Sequence, residues 1–155
     1  MTATEEDWVS YRAAVVDVVP PAGPPFRIVP AAAGIHGRWS RRWRSPVHVV
    51  TAWNPDSVRL DRDANDARNA RLLADLEASG LAHWPATGRD LAGDHFEEGF
   101  AVFGLSEHEA VALGRSHGQA AIYRWTPDAW QVISCTDGRR DTSGWQTVPV
   151  PRPTA

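Results

Sequence analysis

Apolar residues occur along the chain in short runs typical of strands, interrupted by two longer segments in which they recur at helical spacing. The run at residues 47–53 is apolar on both alternate faces, which predicts a central strand covered on both sides. Turns rich in Pro, Gly and Asn separate the runs. The resulting strands are predicted at residues 11–19, 26–29, 47–53, 81–86, 100–105, 119–125 and 130–135.

Two helices are predicted from their end signals as well as from their spacing. The first covers residues 61–79, since Asp61 places negative charge at its start, where the helix dipole favours it. The second begins at a capping box, in which Ser106 and Glu109 satisfy each other's backbone amides. It ends at Gly118, a residue suited to helix termination.

The order of these elements predicts the fold. From residue 47 onward it follows the βαββαβ order of ferredoxin-like folds. We therefore expect an α+β fold: a ferredoxin-like βαββαβ-type sheet with two helices on one face, plus an N-terminal β-hairpin and a C-terminal hairpin strand. One domain is expected at residues 9–137, with a flexible tail at 1–8 and a loosely held, Pro-containing tail at 138–155.

Composition narrows the class of protein without naming a function. The chain has 155 residues, a hydrophobic fraction of 43% and a formal net charge of −3, values expected of one soluble globular domain. The acidic balance argues against general adhesion to nucleic acid or to an anionic membrane. With Cys135 as its one cysteine, the chain can form no internal disulfide, and we expect a buried structural thiol. No apolar run suggests a signal peptide or a membrane span, so a cytoplasmic protein is predicted.

The strand ending at Trp53-Asn54 carries polar residues to the start of the following helix, a position where such folds often hold ligands. Helical spacing puts two amides and two leucines of that helix on one face: Asn65, Asn69, Leu72 and Leu76. The amides can bind an anion or a polar ligand near the free helix amides. Alternatively, they are ties that hydrogen-bond the turn and hold the junction together.

Several spaced motifs resemble a family of small bacterial proteins named as a domain of unknown function, family 3293. The similarity covers about residues 47–123, and its motifs are Val50-Thr51-Ala52-Trp53-Asn54-Pro55-x-Ser57, Asn65-x3-Asn69-x2-Leu72-x3-Leu76, Gly88-Arg89-Asp90, Glu97-Glu98-Gly99-Phe100 and Gly118-Gln119-Ala120-Ala121-Ile122-Tyr123. The chain departs from the pattern at Gly99, where Ser is expected more often. The resemblance implies no activity, but it marks eight candidate ligand-binding residues: Trp53, Asn54, Ser57, Asn65, Asn69, Arg89, Glu98 and Gln119.

The loop from residue 87 to 98 is the densest mixture of ionisable groups in the sequence. A carboxylate beside an Arg and a His can serve acid–base chemistry if burial tunes its pKa, whereas the alternative is a solvated loop with weak ion pairs. Asp94, His95 and Glu98 match no metal-ligand spacing. We therefore predict neither a metal nor a cofactor.

Residues 38–44 interleave arginines with Trp39 and Trp43. This mixture suits phosphate contacts with base stacking, and it equally suits Arg–Trp packing over a sheet. The acidic net charge and the lack of a second basic cluster favour packing, so nucleic acid is not an expected partner.

Two hypotheses about function remain open. The first is a protein-interaction or binding module, which predicts an exposed apolar patch and no enclosed pocket. The second is a small enzyme or a nucleotide- or phosphate-type ligand binder, with a polar pocket at the Trp53–Asn54 junction. It predicts that the polar candidates converge on one cavity with Trp53 as an apolar wall. The sequence slightly favours the first, because it contains no obvious nucleophile–base pair.

Overall fold

The computed structural model describes residues 3–92 and 94–151 and contains eight strands, three α-helices and one 3-10 turn. The strands are β1 (Val15–Val18), β2 (Phe26–Ala31), β3 (Val47–Thr51), β4 (His83–Arg89), β5 (Phe96–Phe103), β6 (Ala121–Thr126), β7 (Ala129–Ser134) and β8 (Arg140–Pro149). The helices are α1 (Glu5–Ala13), α2 (Arg62–Ala78) and α3 (Glu107–Ser116), and the 3-10 turn is Pro55–Ser57.

The strands form a closed barrel in the order β1-β2-β8-β7-β6-β3-β5-β4, and β4 returns to pair with β1. Each of these strand pairings is antiparallel. The ferredoxin-like α+β prediction is therefore wrong. An open sheet would end at β4 and β6, whereas here β7, β8, β2 and β1 continue from β6 and close on β4, which removes both free edges.

Strand alternation divides the apolar residues of the barrel into two cores. Inward-facing residues form a lumen core that includes Val16, Val49 and Trp125. Outward-facing residues such as Val50 and Ile122 form an outer core under α2 and α3. Because β3 contributes to both, its side chains from Val47 to Val50 are all buried, as its sequence predicts.

Two elements differ from the sequence prediction. Residues predicted as a flexible tail and the start of a strand form α1, which begins at a capping box between Thr4 and Asp7. The tail predicted from residue 138 contains β8, which pairs with both β2 and β7. The capping box predicted at Ser106 and Glu109 is confirmed at the start of α3.

The two ends of the barrel are filled differently. At the closed end, where β2 begins and β6 finishes, the 38–44 segment inserts Trp39 and Trp43 against Trp125, with ring centroids 4.6 Å and 4.8 Å away. Trp43 also stacks on Phe26 at 5.0 Å. Both indoles are partly buried and pack against the lumen core, as expected of Arg–Trp packing over a sheet. At the opposite end, the open end, helix α1 lies across the barrel.

Candidate functional site

A cavity of about 290 Å³ lies at the open end of the barrel. Its walls come from α1, from the last residues of β3 and β4, and from the first residues of β5 and β6, with the turn after β3 at the rim. We call it the mouth cavity. Its lining includes Tyr11, Thr51, Asn54, Ser57, Arg59, Gly88, Arg89, Asp90, His95, Glu97, Gln119, Ala121 and Tyr123.

The cavity exists because the inward-facing positions at this end are small. Gly88 faces the lumen opposite Val16 and Glu97, and a Cβ placed on it would meet no heavy atom within 4 Å. Ala86 and Ala121 also line the space. Since large aromatic residues fill the other end, the difference in side-chain volume along the lumen leaves room at this end.

Helix α1 is fixed above the cavity by contacts with the start of β8 and the turn before it. Trp8 is buried, and the Arg139 guanidinium lies 4.3 Å from the centre of its ring. Arg12 contacts Asp141 at 3.3 Å.

The turn after β3 has a strained backbone and is held from several sides. Asn54, Asp56 and Ser57 all have positive φ angles, of 50°, 56° and 60°. Such conformations are uncommon for residues other than Gly and concentrate at functional sites. The Asp56 amide donates to the Gly118 carbonyl at 2.9 Å, and a Cβ on Gly118 would lie 2.7 Å from the Pro55 Cβ.

Two of the predicted residues tie this turn to α2. The Asn54 amide donates to Asn65 Oδ1 at 3.0 Å, and Asn65 Nδ2 donates back to Asn54 Oδ1 at 3.0 Å. Asn54 Oδ1 also accepts from the Leu60 amide at 2.9 Å. Asn65 is only 2% exposed, so its side chain acts as the structural tie that the sequence offered as one alternative.

Glu97 is the acidic group whose side chain faces the lumen of the barrel at this end. Its Oε2 accepts a hydrogen bond from Asn54 Nδ2 at 2.7 Å and lies 3.5 Å from His95 Nε2. Its side chain is 29% exposed. Asn54 therefore joins the tied junction to the carboxylate inside the cavity.

Two tyrosines form the aromatic part of the cavity wall. Tyr123 stacks on Trp130 at 4.9 Å, and its hydroxyl donates to the Tyr11 carbonyl at 3.1 Å. Burial raises the pKa of the Tyr11 hydroxyl; a hydrogen bond with Ser57 opposes this shift, and the charges of Asp7 and Glu97 add to it. Burial also raises the pKa of Tyr123, so both phenols are neutral and can contribute hydrogen bonds without charge.

Arg89 reaches the rim, but its guanidinium is paired outside the lumen. It contacts Asp17 at 2.8 Å, and Asp17 also binds Arg27 at 2.7 Å. The Arg89 guanidinium also lies 5.4 Å from the ring centre of Phe96. Arg89 thus holds β4 to β1 and supplies little free charge to the cavity.

The eight candidate residues divide into three groups. Asn54, Ser57, Arg89 and Gln119 line the mouth cavity. A shallower hollow of about 430 Å³ beside it is lined by Trp53 and Asn65 and shares Asn54 with it. Glu98 and Asn69 line neither space: Glu98 points away from the lumen and pairs with Arg62 at 2.8 Å.

The residues that sequence reasoning did not select include Tyr11, Tyr123 and Glu97. The sequence of β5 could have indicated Glu97, because Glu97, Gly99 and Ala101 occupy alternate positions of one strand and therefore share a face. No local pattern identifies Tyr11, since it reaches the cavity only through the position of α1.

Gln119 anchors the turn from the opposite side. Its Nε2 donates to the Trp53 carbonyl at 3.0 Å and to the His117 carbonyl at 3.3 Å. Arg68 supports the same region by donating to the Ala52 carbonyl at 2.9 Å. These bonds fix the backbone around the cavity and leave the Gln119 carbonyl oxygen as an acceptor.

Gly99 occupies a position where a side chain has no space. A Cβ there would lie 2.2 Å from the Val50 carbonyl oxygen and 2.9 Å from Thr51 Cα. Both are backbone atoms of β3, so neither can rotate away. The Ser expected here from the family pattern would require β3 and β5 to move apart.

Within residues 3–92 and 94–151, no group of three His, Cys, Asp or Glu side chains is arranged to hold a metal ion. Glu98 is drawn to Arg62, away from His95, which sits beside Glu97. In the same ranges, no helix is both long and apolar enough to cross a membrane. Cys135 is fully buried, and burial raises the pKa of its thiol to about 11.

These observations define a closed, eight-stranded antiparallel barrel with helices packed outside and a polar cavity at one end. A family model described as "Protein of unknown function (DUF3293)" matches residues 50–122. The match confirms the resemblance indicated by the spaced motifs. No curated protein and no solved structure matches the chain.

Proposed function

We propose that this protein binds a small polar molecule in the mouth cavity. The observation that carries the proposal is the cavity itself, a recess of about 290 Å³ with hydrogen-bonding groups on its walls. Its volume is near the lower end of the range of roughly 300–1,000 Å³ for ligand pockets, so a metabolite-sized ligand fits best.

The strained turn supports this proposal. The backbone strain at Asp56 and Ser57 persists because contacts with Asn65, Gly118 and Gln119 hold the turn in place. That arrangement places Ser57 and Asn54 at the cavity. A rigid, pre-shaped rim reduces the entropy that a binding site loses when a ligand orders it.

The alternative, a protein-interaction module, has less support. It expects a contiguous exposed apolar patch without an enclosed pocket. The exposed large apolar residues in the described ranges are six, and they lie on different elements: Val9, Val19, Ile35, Val58, Leu91 and Val148. The cavity therefore favours the ligand-binding hypothesis over the interaction module.

A thermal-shift screen of polar metabolites on three forms of the protein tests the proposal. A ligand present at 100 times its Kd should stabilise the protein by about 2.7 kcal/mol, which corresponds to roughly 5–10 °C in Tm. Gly88→Leu places a side chain in the cavity from a position where a Cβ meets no heavy atom within 4 Å, and should abolish the shift. Gly138→Leu is the matched control, because a Cβ on Gly138 also meets nothing within 4 Å but lies in the turn before β8, outside the cavity lining.

The outcomes separate clearly. Ligands that stabilise the wild type and the Gly138→Leu variant, but not the Gly88→Leu variant, would support the proposal. A panel in which every stabilising compound acts equally on the Gly88→Leu variant would contradict it, because binding would then occur elsewhere.

A further inference from the structure

We infer that the ligand enters the mouth cavity with a cationic group, a primary amine or a guanidinium, which docks on Glu97. The inference rests on the proposed function and names the class of ligand that this site would select. It follows from the hydrogen-bonding capacity that the walls leave unused, and from the charges that face the cavity.

Glu97 has unused capacity as an acceptor. A carboxylate offers two oxygens with about four lone-pair directions. Oε2 contacts Asn54 Nδ2 at 2.7 Å and His95 Nε2 at 3.5 Å. Oε1 accepts no hydrogen bond from any group in the described part of the chain. A donor on the ligand would complete this site.

Of the other charged groups on the lining, Asp7, Asp90 and Arg89 have hydrogen-bond or ion-pair partners, whereas Arg59 is exposed at the rim. Asp7 Oδ2 accepts from the Thr4 amide at 2.8 Å in the capping box of α1. Asp90 Oδ1 accepts from the Ala92 amide at 2.9 Å. The Arg89 guanidinium is paired with Asp17 at 2.8 Å. Across residues 3–92 and 94–151, Glu97 has no ion pair with an Arg and lies 3.5 Å from His95 Nε2, so its Oε1 is left for a donor on the ligand.

Two further polar atoms of the lining are acceptors. The Tyr123 hydroxyl uses its proton on the Tyr11 carbonyl, so its oxygen presents lone pairs. The Gln119 amide nitrogen is bonded to the Trp53 and His117 carbonyls, which leaves its oxygen free to accept. A donor-rich group therefore matches this interior better than a phosphate or carboxylate does.

The aromatic rings of the cavity wall also favour a cationic group. Tyr11 and Tyr123 line the same space as Glu97, and aromatic rings attract cations through the negative charge of their faces. Ser57 and Arg59 are exposed at the rim, where they can meet the solvent-facing part of a ligand. The interior of the cavity therefore favours a cationic group, whereas the exposed rim does not select the charge of the rest of the ligand.

A set of four-carbon probes that differ only in their head group tests the inference. We would titrate the full chain with n-butylammonium, n-butylguanidinium, 1-butanol and butyrate at constant ionic strength. The amide signals of Gly88, Glu97 and Gly99 would be followed by NMR. The two cations should saturate these shifts at concentrations at least about tenfold lower than 1-butanol, and butyrate should not bind.

Two neighbouring substitutions provide the matched comparison. Glu97→Gln keeps the acceptor for Asn54 but removes the charge, and should weaken binding of the cations by about tenfold or more. Glu98→Gln removes the same charge one residue along β5, from a side chain that points outward to Arg62, and should leave binding unchanged. Thermal unfolding of both variants would confirm that each remains folded.

The results distinguish this inference from the proposed function. Binding of 1-butanol or butyrate as tight as that of the cations, or cation binding that survives Glu97→Gln, would overturn the inference. So would the absence of any cation-induced shift at these three amides. In each case the proposed function would stand if the metabolite screen finds a ligand that Gly88→Leu abolishes, and would fail if that screen finds none.

Discussion

Asn65 and Asn69 are one helical turn apart on α2, and the structure gives them different roles. Asn65 makes three hydrogen bonds, two with Asn54 and one with the Leu60 carbonyl. Asn69 makes none with the rest of the described chain, and its Oδ1 is buried without a partner. Replacing each residue by Ala therefore compares a structural tie with a side chain that contributes little.

The expected magnitude follows from the groups that Asn65→Ala leaves behind. The Asn54 amide and the Leu60 carbonyl both lose a partner, and each unsatisfied buried group costs about 1–3 kcal/mol. After the small gain in helix propensity of at most ~0.7 kcal/mol, the free energy of unfolding should fall by about 2–4 kcal/mol. Asn69→Ala should change it by less than about 1 kcal/mol, because only the helix propensity and an unpartnered oxygen are affected.

Urea denaturation followed by tryptophan fluorescence measures both variants under the same conditions. The m-values should match that of the wild type, which would show that only stability has changed. Equal losses in the two variants would refute the reasoning, since the hydrogen bonds of Asn65 would then contribute no more than the Asn69 side chain.

Two further predictions concern β3 and its neighbours. His48 is fully buried on β3 without a hydrogen-bond partner in the described residues, and burial lowers its pKa from 6.5 to about 4. Between these pH values the unfolded chain binds a proton that the folded protein excludes, so stability should fall by about 3 kcal/mol from pH 7 to pH 4 on this account. Urea midpoints across this range should show a shallower decline for His48→Gln, and identical slopes would contradict the assignment. Gly99→Ala should lower the free energy of unfolding by about 3 kcal/mol or more, because the added Cβ would meet the β3 backbone. Gly88→Ala should lower it by less than about 1 kcal/mol, since a Cβ there meets no heavy atom within 4 Å. Equal unfolding free energies of the two alanine variants would show that β3 and β5 can separate freely.

Local patterns predict most elements of this fold correctly. β3 is identified by burial on both faces, and α3 by its capping box. The closure of the barrel could not be predicted in this way, since it depends on pairings such as β2 with β8, which join residues more than a hundred positions apart. β8 is largely polar, and Trp145 is the main apolar residue that it contributes to the lumen. The sequence of such a polar strand therefore resembles that of a loosely held tail.

The candidate site was partly predictable for similar reasons. The motif around Asn54 and Asn65 identifies the junction, because polar residues at the end of a buried strand need specific partners. The sequence places Glu97 in a loop, since the predicted strand begins at residue 100, whereas β5 begins at Phe96. Once that strand is extended, alternation alone places Glu97 and Gly99 on the inward face. The contribution of α1 depends on tertiary packing of a mostly polar helix around Trp8, which its own spacing does not indicate.

Binding of a small polar molecule inside the open end of the barrel can be observed directly. The most direct measurement is a crystal structure of the complex with the ligand that gives the largest thermal shift in the metabolite screen. We expect electron density for the ligand beneath α1, in contact with Glu97 and Tyr123. Density at any other position, with the mouth cavity left empty, would contradict binding at the open end of the barrel.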